Sequence, residues 1–183
     1  MLTILLIAAA FIIAVIFLFN RLVRARQMAR EAWSGIDVQL KRRAELVPNL
    51  VETVKAYAAH ERSALEEVTR LRGQASAVPR DDIAGRAQAE NGLSQALGRL
   101  IALAESYPDL KASGNFLELQ HQLSALENEL QMARRYYNGT ARNLNILVES
   151  VPSNLVAAAF GFHRADFFEL NDATERAAPA VAL

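Results

Sequence analysis

Apolar positions in this chain follow two patterns. From Leu2 to Phe19 they form an unbroken uncharged run, LTILLIAAAFIIAVIFLF, with no polar face. Wound as a helix, that run is about 27 Å long, close to the thickness of a bilayer's hydrocarbon core. Beyond it, apolar residues recur at gaps of three and four, the spacing of one helix face. The stripe Phe116, Leu119, Leu123, Leu126, Leu130, Ala133, Tyr137, Ala141, Leu144, Val148, Val151 never breaks this rule. It predicts a helix of about ten turns, as in a bundle or coiled coil. Asn115 with Glu118 three residues on has the form of a capping box at its start, and Pro152 is placed to end it.

An earlier stripe runs Ile36, Leu40, Val47, Val51, Val54, Ala58, Leu65, Val68. It keeps phase across Pro48, which predicts one long kinked helix over residues 21–72, continuing the apolar run. Gly73 to Arg80 has loop composition. Asp81 or Asp82 then caps a helix striped by Ile83, Ala87, Leu93, Leu97, Leu100 and Ala104. Tyr107 to Gly114 predicts a turn. Leu155 to Phe160 predicts a short apolar helix, which Gly161 can stop. Strand-type alternation does not occur. The expected fold is therefore all-α: an N-terminal transmembrane helix, then an antiparallel bundle of long helices with a short C-terminal one. The domains are 1–20 (anchor), 21–170 (bundle) and 171–183 (a tail expected to be disordered).

Charge gives the run a direction. Arg21, Arg24, Arg26 and Arg30 follow it at once, and no Lys or Arg precedes it. A cleaved signal peptide has the reverse arrangement and a small-residue cleavage site, so an uncleaved single-pass anchor is expected. Basic residues beside a span favour the cytoplasmic side, which places the N-terminus outside and the main domain in the cytoplasm. The four arginines form a candidate patch for anionic lipid head groups. Over all 183 residues the charges balance, 20 Lys and Arg against 20 Asp and Glu, so the rest of the chain is not basic, which argues against nucleic acid as a partner. The absence of cysteine excludes disulfides and thiolate metal sites.

Chemistry-bearing motifs are sparse. His60-Glu61 begins like a zinc-protease helix, but Ala64 stands where the second histidine belongs. Of the other two histidines, His121 and His163, ligation of a metal by His121 would need partners from other helices. The chain has no nucleophile elbow and no phosphate-binding loop, so no catalytic, metal or cofactor residue is assigned and no enzyme is expected. Two constellations stand out. Arg43 lies on the apolar stripe between Leu40 and Val47, with Lys41, Arg42, Asn49 and Glu52 nearby. They form either a buried network fixing helix register or a recognition surface. Phe160, Phe162, Phe167 and Phe168 form either a lid over the bundle end or an aromatic docking patch. Trp33, well beyond the run, is expected to pack in the bundle.

Longer stretches carry a resemblance. The segments Glu31-Ala-Trp-Ser-Gly-Ile-Asp-Val-Gln-Leu-Lys-Arg-Arg-Ala-Glu-Leu-Val-Pro-Asn-Leu-Val-Glu-Thr-Val-Lys55, Tyr57-Ala-Ala-His-Glu61, Ala104-Glu-Ser-Tyr-Pro-Asp-Leu-Lys-Ala112, Asn115-Phe-Leu-Glu-Leu-Gln120 and Ala133-Arg-Arg-Tyr-Tyr-Asn138 resemble the LemA family of bacterial membrane proteins. So do Gly161-Phe162 and Phe167-Phe168-Glu169, and the likeness runs in order to about residue 170. Gly35 departs from it, where a larger polar residue is usual. The resemblance implies one span and a helical bundle, and supplies no catalytic residues. It also implies kinship with accessories of membrane-associated zinc proteases or of membrane remodelling. The function expected is a membrane-tethered, self-assembling, non-enzymatic scaffold, a homo-oligomer at the inner face of the bacterial cytoplasmic membrane. The alternative is a monomeric adaptor or regulator of another membrane protein.

Overall fold

A computed structural model describes residues 1–169; the tail expected over 171–183 lies outside them. Six helices and no strand occur among the described residues: α1 (Leu2–Tyr57), α2 (Arg62–Ala77), α3 (Ile83–Ala104), α4 (Pro108–Lys111), α5 (Gly114–Glu149) and α6 (Ser153–Ala159). The all-α fold and its bundle packing are those the apolar stripes predict.

The chain forms two compact units. The first comprises Met1–Leu40 and Glu127–Phe167. Here the early part of α1 runs antiparallel to the second half of α5. Trp33 and Tyr137 meet with ring centroids 5.4 Å apart, so Trp33 packs within the bundle. Ala29, Ala32 and Ile36 of α1 and Leu130, Ala141 and Leu144 of α5 are buried. A separate cluster joins Leu22 to Val156, Ala157 and Phe162, flanked by Val15, Leu18, Phe19 and Val23. Tyr137 Oη donates to the Asp166 carbonyl at 2.7 Å, and Asn145 both donates to and accepts from the Ala165 backbone. Gly161, at φ 68°, ends α6 as placed by the sequence.

The second unit comprises, among the described residues, Lys41–Leu126 with Phe168 and Glu169. Its core is built from Val47, Leu50 and Val54 of α1, Leu65 and Val68 of α2, Leu93, Leu97 and Leu100 of α3, Leu110 of α4 and Phe116 of α5. α2 runs antiparallel to both neighbours, as Arg72 bonded to Ala44 and Arg99 bonded to Glu67 require.

Three boundaries differ from expectation. The predicted 21–72 helix is two helices, because Ala58–Glu61 forms a turn closed by Glu61 N–H on the Ala58 carbonyl at 3.1 Å. Ala58, Leu65 and Val68 are still buried, so the reversal preserved the phase that suggested continuity. The predicted loop at Gly73 is helix up to Ala77, where buried Ala75 continues the packed face. α5 starts at Gly114, with Leu117 N–H on the Ser113 carbonyl, so Asn115 is inside the helix rather than its cap. Two expectations hold: α1 continues the apolar run unbroken, and Asp82 caps α3 through Gly85 N–H at 2.8 Å.

Candidate functional site

A buried polar centre lies in the second unit. Arg43 is fully buried, on a stretch of α1 whose neighbours Leu40 and Val47 are core residues. Its guanidinium donates to the Glu90 carboxylate, to Ser94 Oγ at 2.7 Å and to the Glu90 carbonyl at 3.4 Å. Glu90 is itself buried and has a second cation, Arg86, whose Nε lies 3.6 Å from it. Arg86 in turn donates to the Val78 carbonyl at 3.1 Å. Two cations and one carboxylate thus meet in a core otherwise apolar, with the Arg43 and Arg86 Nε atoms buried and without a hydrogen bond. A buried charge group of this kind is costly to break, since removing one partner strands the other away from water.

The rest of the predicted constellation lies elsewhere. Lys41, Arg42, Asn49 and Glu52 are exposed along α1. Lys41 faces Glu45 at 4.0 Å, and Glu52 faces Lys55 at 3.7 Å. The carboxylate that meets Arg43 comes from α3, and sequence reasoning had not named it. The signal was available. The α3 stripe jumps from Ala87 to Leu93, and Glu90 sits in the gap, as Arg43 interrupts the stripe of α1.

Pro48 explains a second polar contact. Proline has no N–H, so the Ala44 carbonyl one turn earlier loses its helical donor. Arg72 of α2 donates its Nε to that carbonyl at 2.7 Å. Thr53 Oγ1, in the next turn of α1, donates back to the Asn49 carbonyl at 2.8 Å. Between α1 and α2 runs a groove of about 690 Å³, lined in part by Val51, Glu52, Lys55, Arg62, Glu66 and Arg70.

The aromatic residues divide. Phe162 and Phe168 are buried, Phe167 is half-buried and Phe160 is exposed. Phe19 meets Phe160 edge-on at 5.0 Å and Phe162 at 5.7 Å. The four therefore do not form one surface patch. The arginines divide too: Arg21, Arg24 and Arg30 are exposed, whereas Arg26 is half-buried with its guanidinium 4.6 Å above the Phe162 ring.

His60, His121 and His163 are all exposed, and no group of three metal-ligating side chains occurs among the described residues. Tyr107 donates to Glu61 at 3.1 Å; partial desolvation, with that bond and the carboxylate's charge, raises its pKa above the usual value. Burial, with a smaller contribution from Asp166, pushes Tyr137 up to about 12.

An eighteen-residue apolar window of α1 contains no buried residue; only Val15, Leu18 and Phe19, near the end of the apolar run, are half-buried. A helix so apolar and so uncovered is of a length to cross a membrane and marks the chain as membrane-associated. Comparison narrows the class. Residues 32–183 match the LemA family. The chain belongs to the LemA family. Among its relatives, the magnetosome protein MamQ 2 of Paramagnetospirillum magneticum is 27% identical, over 87% of this chain and 68% of its own length. The magnetosome protein MamQ of Magnetospirillum gryphiswaldense is 26% identical, over 87% and 67%. The LemA protein of Metamycoplasma hominis is 26% identical, over 84% and 69%.

Proposed function

We propose that this protein is a non-enzymatic scaffold, anchored through residues 2–19 and self-assembling on the inner face of the bacterial cytoplasmic membrane. The long stripe of α5 cannot itself be the assembly surface, because Leu123, Leu130, Tyr137 and Leu144 are consumed in the chain's own core. The observation that carries the proposal is a second row on the same helix. Met132, Tyr136, Gly139, Asn143 and Ile146 follow one another at gaps of four and three, on the face opposite that core. Met132, Tyr136 and Ile146 are exposed. A 4-3 repeat that includes a single Asn is a pattern by which two helices pair in a fixed register. Gly139, with nothing near its missing side chain, allows close approach. Tethering to a membrane raises the effective concentration for such pairing.

Supporting the anchor, Leu18 and Phe19 pack against the folded chain, so removing residues 1–20 would strip contacts from the fold. Exposed Arg21, Arg24 and Arg30 beside the span favour the cytoplasmic orientation. The alternative, an adaptor or regulator of another membrane protein, draws on the groove between α1 and α2. Disulfide cross-linking in membranes separates the two, since the chain has no cysteine of its own. Met132→Cys is expected to give a covalent dimer while exposed Gln122→Cys does not. Equal, low cross-linking at both sites would remove self-assembly and leave the adaptor.

A further inference from the structure

The segment from Ser150 to Phe162 carries no charged residue, although most of it is exposed. Val151 is 79% exposed, Leu155 68% and Phe160 54%. Within α6 the residues separate by face. Val156 and Ala157 turn inward, while Leu155, Ala158 and Ala159, related by three and four positions, share the outer face. For a soluble surface this would be an unsatisfied apolar patch.

Its location supplies the reason. α6 and Phe162 pack against Val15, Leu18, Phe19, Leu22 and Val23, the last turns of the apolar run and the first turn past it. Phe160 lies edge-on to Phe19, at the end of that run. Polar groups mark the rim: Arg21 and Arg24 are exposed on α1. Glu149 and Arg164, just outside the uncharged segment, join at 3.0 Å and close it off. The outer face of α6 thus stands at the level where the span leaves the hydrocarbon, with charge immediately beyond.

Taking residues 2–19 as the span, we propose that Val151, Leu155 and Phe160 form a second membrane contact. The outer face of α6 lies in the headgroup–acyl boundary beside α1, and its occupant is the phospholipid bilayer. Apolar side chains buried there are stabilised as in other interfacial helices, with the neighbouring arginines meeting anionic head groups. α1 is then held by a two-part footing, one element crossing and one lying at the surface, joined through Phe19, Phe160 and Phe162. The exposed row on α5 is left free for pairing.

Full-length protein in vesicles of phosphatidylcholine and phosphatidylglycerol tests this, with an environment-sensitive fluorophore on single cysteines. Leu155→Cys reports the proposed contact and Val151→Cys repeats it. Ile7→Cys reports the span, and Ser34→Cys an exposed position well beyond it. Spin labels at shallow and deep acyl positions serve as lipid quenchers, and iodide as the aqueous one. Positions 155 and 151 are expected to be quenched several-fold more by the shallow lipid label than position 34, and less by iodide. Position 7 should respond to the deep label. If 7 responds while 155 and 151 match 34, the second contact is wrong and the span stands. If 7 does not respond, the span reading fails and the proposal falls with it. Shielding of 155 from both quenchers, lost when the protein-to-lipid ratio is lowered, would assign the face to a second copy and overturn the bilayer contact.

Discussion

Both units bury polar side chains, but of different kinds: Arg134, Thr140, Asn145 and Ser153 in the first, and the charged group Arg43, Arg86 and Glu90 in the second. The second places a charge where a hydrophobe belongs: Arg43, fully buried, neutralised by Glu90 and held by Ser94. The first has a cluster of Leu22, Val156, Ala157 and Phe162 at the end of the apolar run, with Arg26 only half-buried over Phe162. Apolar contacts tolerate small shifts in register, whereas a buried ion pair does not. A charged contact is thus found where α1 meets α3, and uncovered apolar surface beside the apolar run.

The sharpest way to break this contrast is to unpair the charge. Glu90→Leu leaves the Arg43 guanidinium without its carboxylate and should cost about 3–5 kcal/mol in denaturant unfolding. Arg43→Met should cost less, because Arg86 still partners Glu90. The double variant should recover much of the loss; strict additivity would mean that the pair is not a unit. In the first unit, Phe162→Ala should cost about 3 kcal/mol through the cavity it leaves. It should be rescued by Leu, whereas no neutral residue should rescue Glu90.

Pro48 and Arg72 provide an intermediate test. Arg72→Met strands the Ala44 carbonyl and should cost about 1–3 kcal/mol. Combined with Pro48→Ala, which restores a helical N–H, it should cost almost nothing. A full cost in that background would show that Arg72 acts otherwise. The smallest effect concerns pH. Tyr137 has its pKa raised to about 12 from an ordinary 10.0, so the folded state holds its proton more tightly. The associated stability is present below pH 10 and is lost as pH rises towards 12. Tyr137→Phe should flatten that alkaline limb while removing the bond to Asp166, as thermal unfolding against pH would show.

Helical periodicity made the helices legible, but not where they reverse. A turn at Ala58–Glu61 that returns the stripe in phase leaves no trace in a pattern of threes and fours. Arg43 was legible as a charge in an apolar stripe, but its partner was sought on the same helix. The spacing of Asn49 and Glu52 is local, whereas the contact joins residues 47 apart in sequence. The phenylalanine cluster was visible as composition; its division into buried and exposed rings depends on contacts with Phe19. The outer row on α5 escaped notice because the inner stripe is the stronger one on the same helix.

Self-assembly through that outer row is the central claim, and the native mass of the full-length protein in lipid nanodiscs or detergent, corrected for bound lipid or detergent, tests it most directly. A defined multimer that Met132→Glu with Tyr136→Glu reduces to monomer, helical content unchanged, is the expected result. A monomer at every concentration, before any substitution, would contradict it.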